Sequence, residues 1–135
     1  MGIILKIITP ERKVFEGEVE MVTAPGIAGE FGVLPGHTPF ITTLIAGELH
    51  FDAKGKKEGY AISGGYIEVN EDKMTVLADS AEHFEEIDIE RAKLAQKKAV
   101  EILNAADPTS LEFKKAEIKL KRSLVRQKVW SMRNK

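Results

Sequence analysis

The sequence predicts an α+β protein, in which an N-terminal antiparallel β-sandwich is followed by a C-terminal antiparallel two-helix hairpin. All 11 glycines and four of the five prolines lie at or before Gly65, and both residue types punctuate strands and are costly inside helices. The net charge also changes along the chain, from −6 over residues 1–84 (7 basic, 13 acidic) to +5 over residues 85–135 (13 basic, 8 acidic). We therefore expect two domains, residues 1–84 and 85–135.

The first domain has the apolar pattern of short β-strands. The predicted strands cover residues 3–8, 14–15, 19–23, 40–45, 48–53, 60–63, 66–70 and 73–78. Turns are predicted at the pairs Lys54-Gly55, Gly64-Gly65 and Glu71-Asp72, which contain residue types common in turns. Many short strands at this spacing are typical of a sandwich or a barrel.

A segment rich in glycine and proline separates the early strands from the later ones. Residues 26–39 contain four glycines and two prolines, a density that fixes one loop path. One interpretation is a structural corner between strands, which the residues alone favour. The other is a presented surface, with Glu30 and Phe31 at the tip of the loop.

The second domain carries helix start and stop signals. Asp88 is predicted to cap the first helix, because its carboxylate can accept the unpaired backbone N–H groups of a helix start. A run without glycine or proline continues to Ala106, where Asp107-Pro108 interrupts it. A second helix is predicted over residues 110–130.

Apolar positions at helical spacing predict how the two helices pack. The first helix presents Ala92, Ala95, Ala99, Ile102 and Ala106 on one face, and the second presents Phe113, Ala116, Leu120 and Leu124. We expect these two faces to meet in an antiparallel hairpin. A further apolar face of the second helix is left for the sandwich, for a partner or for simple exposure, and it consists of Leu111, Ile118, Val125 and Met132.

Several classes of function are excluded by what the chain lacks. With no cysteine there is no disulfide, no thiolate zinc site and no cysteine nucleophile. The glycines match neither the G-x-x-x-x-G-K-[ST] nor the G-x-G-x-x-G phosphate-binding motif. Ser63 lacks the flanking glycine of a nucleophile elbow and is interpreted as a turn residue. The three histidines are isolated in sequence and form no metal-ligand motif. We therefore expect neither an enzyme nor a metal site.

Five cations of the second helix share one face: Lys115, Lys119, Arg122, Arg126 and Arg133. From Pro108 onward there are 9 basic and only 2 acidic residues. The face is either simply solvated or fitted to an acidic partner or a phosphate group. Nucleic acid is disfavoured, because the only late aromatic residues are Phe113 and Trp130 and the first domain is acidic.

At three segments the sequence resembles the epsilon subunit family of F-type ATP synthases, which corresponds to delta in mitochondria. The segments are residues 29–39 (GEFGVLPGHTP), residues 62–69 (ISGGYIEV) and the helical residues 113–116 (FKKA) with 120–122 (LKR). The resemblance covers nearly the whole chain. The fold of that family, a β-sandwich followed by a two-helix hairpin, is the fold predicted from the residues.

The resemblance implies a non-catalytic rotor subunit of the central stalk of a proton-translocating synthase. The sandwich is expected to bind the gamma subunit and to sit on the c-subunit ring, with Glu30, Phe31 and His37 at the ring contact. The helices are expected to inhibit ATP hydrolysis by extending along gamma toward the beta and alpha subunits. The cations that match the contact with beta are Lys115, Lys119, Arg122 and Arg126.

The resemblance also implies that the helices bind ATP as a regulatory ligand, although no cofactor is required. Residues 87–92 match the I/L-D-x-x-R-A motif of the ATP-binding members. The expected nucleotide-binding residues are Glu82, Ile87, Asp88, Arg91, Ala92, Arg122 and Arg126. One departure weakens the match, because Lys98 stands where those members have a further arginine.

The longest apolar stretch, residues 3–8, is far below the roughly 20 residues that cross a bilayer. We therefore expect membrane association only through the complex, at the cytoplasmic face of a bacterial plasma membrane. The alternative is a free-standing nucleotide-binding sensor or a basic-tailed adaptor.

Overall fold

The computed structural model of the chain describes residues 2–134, so Met1 and Lys135, the outermost residues of the two expected domains, lie outside the described part. It confirms the predicted fold class, a β-sandwich followed by two helices. The strands are β1 (Ile3–Ile8), β2 (Lys13–Val19), β3 (Val22–Gly26), β4 (Gly29–Val33), β5 (Phe40–Ala53), β6 (Lys56–Asn70), β7 (Lys73–Ala78) and β8 (Ala81–His83). The helices are α1 (Ile89–Ala105) and α2 (Leu111–Ser131), with short 3-10 turns at Phe84–Glu86 and Met132–Asn134.

All eight strands within residues 2–134 belong to one sheet that folds over on itself. Their order is β2-β1-β7-β6-β5-β3-β4, with β8 also paired to β6. Every pairing is antiparallel except that of β1 with β7, which is parallel. Strands β2 and β5 are far apart in this order, yet the rings of Phe15 and Phe51 lie 4.7 Å apart. This contact closes the sandwich around an apolar core that includes Leu5, Leu49 and Ile67.

The predicted turn at Gly64-Gly65 is wrong. Both residues lie within the continuous strand β6, where they have φ values of 97° and 125°. A Cβ on Gly65 would stand 2.0 Å from the Leu77 carbonyl oxygen, so only glycine allows β7 to approach here. The pair bends one long strand, so that its first part pairs with β8 and its second part with β7. The predicted strand pairs 40–45 with 48–53 and 60–63 with 66–70 are likewise the single strands β5 and β6.

The first part of the glycine-rich segment 26–39 forms the tip and second strand of a hairpin, and residues 34–39 connect that hairpin to β5. Strands β3 and β4 pair from Val22 with Val33 to Gly26 with Gly29. Glu30 and Phe31 therefore lie within β4 and not at the tip, where the alternative interpretation placed them. The Phe31 ring packs against the core and meets Phe40 edge-on at 5.4 Å, while Glu30 is exposed.

Asp88 caps α1 as predicted, and Ser110, the first residue of the predicted second helix, caps α2. The Asp88 carboxylate accepts a hydrogen bond from the Arg91 backbone N–H at 3.2 Å, and the Ser110 hydroxyl oxygen accepts one from the Phe113 N–H at 3.1 Å. Between the helices, the Asp107 carboxylate accepts hydrogen bonds from the backbone and the hydroxyl of Thr109, which hold the pKa of that carboxyl below its usual value. The connection is thus fixed at both ends.

The helices pack as a hairpin, with one correction to the contacting face of α2. On α1 the predicted face is confirmed, with Ala92 and Ala99 buried. On α2, however, Leu124 is 45% exposed and the buried position is Ser123. The Ser123 hydroxyl donates a hydrogen bond to the Leu120 carbonyl oxygen at 2.7 Å. A small, locally satisfied side chain lets the alanine face of α1 approach closely, which a leucine would not.

The further apolar face of α2 divides between two environments. Met132 is buried and Val125 half-buried against the sandwich, whereas Leu111 and Ile118 are 66% and 54% exposed. The sandwich therefore covers only the C-terminal part of this face. Neither helix within residues 2–134 has the length and apolar character needed to cross a membrane.

Candidate functional site

The C-terminal turns of α2 dock on the sandwich through a small apolar cluster. Its buried members are Ala61, Phe84, Ile87, Val129 and Met132. The sheet contributes only a small residue, Ala61, and the neighbouring Gly59 has no side chain at all. A Cβ on Gly59 would stand 3.0 Å from the Met132 sulfur. The helix therefore lies close to the sheet backbone.

Two ion pairs join α2 to the sandwich beside this cluster. Arg126 donates from Nε and Nη2 to the Glu82 carboxylate, at 2.7 and 3.1 Å, in the bidentate geometry that suits a guanidinium group. Lys128 Nζ lies 3.3 Å from Glu48 Oε1. Neither Glu48 nor Lys128 was predicted as a functional residue. In β5, Glu48 and His50 alternate with Leu49 and Phe51, a pattern that reads as an ordinary solvated face.

A cavity of about 550 Å³ lies between the end of the sandwich and α2. From the sheet, its polar lining comprises Ser63, Asp79, Ser80 and Glu82, and from α2 it comprises Arg122 and Arg126. Ser63, expected to be a simple turn residue, lies in β6 and shares a 2.5 Å hydrogen bond with the Ser80 hydroxyl. The cavity combines hydroxyl and carboxylate acceptors with two guanidinium groups. It can therefore bind a ligand that has both hydrogen-bond donors and negative charge.

A second cavity, of about 350 Å³, lies between the two helices. Its lining includes the cations Lys98 and Lys119 together with Arg122 and Arg126, which border both cavities. Its walls are otherwise made largely of the small residues Ala95, Ala99 and Ser123 with Ile102. Four cations around one space favour an anion such as a phosphate group. Lys98, the residue that departs from the expected arginine, therefore lines a cationic cavity.

The sequence-predicted nucleotide residues divide into two groups. Glu82, Arg122 and Arg126 come together at the first cavity. The motif residues Ile87, Asp88, Arg91 and Ala92 are absent from the described linings of both cavities.

In the structure the motif has a clear local role. Asp88 caps α1, Ile87 belongs to the docking cluster and Ala92 is fully buried in the hairpin. These three residues therefore set where α1 begins and how it packs. The Arg91 side chain is exposed.

The predicted cation face of α2 is exposed except at Arg126. Lys115, Lys119 and Arg122 are exposed, whereas Arg126 is half-buried in its ion pair with Glu82. Arg133 lies over the Trp130 ring, 3.8 Å from its centroid. Arg126 is thus the member of the predicted face that docking withholds from a partner.

The three residues expected at the c ring lie on or beside the β3–β4 hairpin. Glu30 is exposed in β4, and Phe31 packs inward on Phe40. The ring of His37 is also 5.0 Å from that of Phe40, and its Nδ1 hydrogen-bonds with the Thr38 carbonyl at 2.8 Å. Phe31 is therefore the inward-packed member of the three, whereas Glu30 and His37 are both exposed.

The segment between sandwich and helices is fixed by His83. Its Nδ1 accepts a hydrogen bond from the Glu85 backbone N–H at 3.2 Å, and its Nε2 contacts the Glu58 carboxylate. The ring also packs edge-on against Tyr60 and Phe84. Burial, with Glu58 and Glu86 nearby, raises the pKa of the Tyr60 hydroxyl to about 12. This segment is therefore well packed in the docked arrangement. No cluster of potential metal ligands occurs among residues 2–134.

Family models match both parts of the chain. The model described as ATP synthase, delta/epsilon chain, beta-sandwich domain, matches residues 3–84. The model described as ATP synthase, delta/epsilon chain, long alpha-helix domain, matches residues 85–131. Together they cover almost the whole chain.

Individual proteins match over similar lengths. A protein of Geotalea daltonii named ATP synthase epsilon chain is 46% identical, over 93% of this chain and 91% of its own length. One of the same name from Nitratidesulfovibrio vulgaris is 44% identical, over 93% and 92%. Among solved structures, a chain of the Euglena gracilis mitochondrial ATP synthase (OSCP/F1/c-ring) superposes with a TM-score of 0.79 at 30% identity, covering 89% of this chain and 76% of that one. A chain of the Tetrahymena thermophila mitochondrial ATP synthase central stalk and c-ring has a TM-score of 0.64 at 14% identity, over 96% and 97%, which is a likeness of fold.

Proposed function

Because the chain belongs to the delta/epsilon family of ATP synthase subunits, we propose that it couples the catalytic head to the c ring and inhibits ATP hydrolysis through its helices. Within this family it is a non-catalytic subunit of the synthase. Membership favours this function over a free-standing nucleotide sensor or a basic-tailed adaptor.

The observation that carries the regulatory proposal is the way α2 docks. Only Ala116, Ser123 and Val129 are buried along its described length, and the cations at its start are exposed. A helix held by so few buried side chains and two ion pairs can leave the sandwich at a modest cost in free energy. Once released, Lys115, Lys119, Arg122 and Arg126 form one continuous cationic face for an acidic surface of the beta and alpha subunits.

The two cavities support the proposal that ATP regulates this movement. A nucleotide spanning them would place its phosphates among Lys98, Lys119, Arg122 and Arg126, and its ribose or base beside Ser63, Ser80 and Glu82. The first cavity exists only while α2 lies on the sandwich, and the second only while α1 and α2 are packed together. A ligand that binds there favours the docked state and opposes inhibition.

The sandwich is proposed to bind the gamma subunit and to meet the c ring through the β3–β4 hairpin. Glu30 and His37 are exposed on and beside that hairpin, and the rings of Phe31 and His37 both pack on Phe40. Association with the membrane would then come through the complex, on the cytoplasmic face of a bacterial plasma membrane.

The test is ATP hydrolysis by a reconstituted complex of alpha, beta and gamma, alone, with the full chain, and with a version that ends at Phe84. The core cluster of the sandwich lies before that point, so the shorter version keeps the proposed gamma contact. We expect both versions to bind and only the full chain to inhibit, with ATP relieving the inhibition. Binding without inhibition by either version would remove the regulatory role, and no binding would remove the stalk role.

A further inference from the structure

Two carboxylates flank the part of the sheet surface against which α2 packs. Ala61 in β6 is paired with Glu48 of β5 on one side and with Glu82 of β8 on the other. Directly paired residues in adjacent strands point to the same face of a sheet. The sheet therefore presents a row of three side chains to the helix, with Ala61 in the middle and a glutamate on each side.

The sequence of α2 complements this row. Val129 is fully buried and belongs with Ala61 to the docking cluster. Arg126 and Lys128 are two positions apart, which places them about 200° apart around the helix. They therefore reach opposite sides of the docked helix, Arg126 toward Glu82 and Lys128 toward Glu48.

The two sides of this arrangement differ in their environment. The Arg126 and Glu82 side chains are both about one-third exposed, at 33% and 32%. On the other side Lys128 is 68% exposed, but Glu48 is only 11% exposed. In the docked state the Glu48 carboxylate is thus largely shielded from water and is paired with a single cation.

Two buried polar atoms in this part of the sheet have no partner among the described residues: Glu48 Oε2 and the neighbouring His50 Nδ1. An incompletely satisfied buried carboxylate is costly, and removing its counter-ion makes the cost larger. The docked state should therefore be more sensitive to the charge at Lys128 than to that of an ordinary surface lysine.

We propose that Glu48 and Glu82 form a carboxylate clamp that fixes the position of docked α2, and that Lys128 is the positioning residue that sets the fraction of chains in the docked state. The clamp acts in the isolated chain. Its role in regulation rests on the proposed function, in which release of α2 precedes inhibition.

The test measures docking directly in the full chain, without ATP or other subunits. The chain has no cysteine, so cysteines introduced at the exposed positions Lys57 and Glu112 can carry a donor and an acceptor dye. Single-molecule energy transfer then gives the ratio of undocked to docked chains. Where undocked chains are too rare to count in water, the ratio is followed through a urea series below the unfolding transition of the sandwich.

Lys128→Gln is expected to raise the undocked-to-docked ratio about five-fold. Lys121→Gln is the matched control, because Lys121 is an exposed cation on the same helix with no ion pair within residues 2–134. Glu48→Gln should have a smaller effect than Lys128→Gln, since a neutral amide needs no counter-ion. For the same reason, adding Lys128→Gln to Glu48→Gln should change the ratio much less than five-fold.

The proposal is overturned if Lys128→Gln matches the wild type and Lys121→Gln, or if the effects at positions 48 and 128 simply multiply. Neither outcome alters the hydrolysis assay, in which the full chain can still inhibit. Conversely, a chain that fails to inhibit can still show the predicted charge dependence of docking. Failure of the clamp and failure of the proposed function are therefore distinguishable.

Discussion

Arg126 in α2 and Glu82 in β8 are 44 residues apart in sequence, yet two parallel hydrogen bonds join their side chains. This pair ties the second helix to the last strand of the sandwich. It also places both residues in the wall of the largest of the cavities described above. The same guanidinium group is thus available either to hold the helix or to meet a ligand.

Arg126→Lys should weaken docking, although the charge is kept. A lysine cannot make both parallel hydrogen bonds to the Glu82 carboxylate. Because the pair is one-third exposed, we expect a loss of no more than about 1 kcal/mol. Thermal unfolding followed by circular dichroism should show a decrease in Tm of about 2–5 °C.

Arg91→Lys is the control for this change, because the Arg91 side chain is exposed and forms no ion pair within residues 2–134. Its Tm should stay within about 1 °C of the wild type. Equal decreases for the two variants would mean that the bidentate geometry at Glu82 contributes nothing to stability.

Gly65→Ala should be strongly destabilising. The residue has a φ of 125°, and an added Cβ would meet the Leu77 carbonyl oxygen at 2.0 Å, so the β6–β7 pairing would have to shift. We expect a loss of about 3 kcal/mol or more in the free energy of unfolding, measured by urea denaturation.

Gly55→Ala separates the two contributions in that experiment. Gly55 also has a positive φ, 78°, but an added Cβ there would have no neighbour within 4 Å. It should therefore cost only about 1 kcal/mol. If Gly65→Ala costs no more than Gly55→Ala, the close approach of β7 is not what requires a glycine at position 65.

Gly65 also shows where local sequence patterns fail to predict the structure. Two adjacent glycines predict a turn from local chemistry, but the pairing of one strand with three others holds them in an extended strand with a bend. The fold class and the Asp88 cap were predicted, because apolar periodicity and capping are local. The ion pairs of Glu48 and Glu82 with α2 were not, because they depend on how the two parts of the chain dock. The prediction that Leu124 lies on the hairpin face was wrong for a similar reason. The small Ser123 is buried there instead, because the close packing of the helices favours a small side chain over a larger apolar one.

Tyr60 should ionise only at high pH, and stability should fall as it does. Burial is the main cause of its raised pKa of about 12, against the usual pKa of 10.0 that applies in the unfolded chain. A pKa raised by folding means that the folded state favours the protonated phenol. This stabilisation is fully present below about pH 10 and is lost as the pH rises from about 10 to 12.

The chain has two tyrosines, so the titration is made in a Tyr66→Phe variant, in which Tyr60 is the only phenol. Absorbance at 295 nm should show a transition near pH 12 in the folded protein and near pH 10 in urea. A folded-state transition near pH 10 would show that the Tyr60 hydroxyl is accessible to water and that the His83 segment does not seal it.

Lys98→Arg should tighten ATP binding if the nucleotide occupies the two cavities. Lys98 lines the space between the helices with Lys119, Arg122 and Arg126, and a guanidinium group can donate two hydrogen bonds to a phosphate where an ammonium group acts as a point charge. We expect about a five-fold decrease in Kd by isothermal titration calorimetry. Lys97→Arg is the control, since Lys97 is exposed and outside the described linings of both cavities. Equal affinities for the two variants would place the phosphates elsewhere, and an absence of heat even at millimolar ATP for all three proteins would exclude a regulatory nucleotide site in the isolated chain.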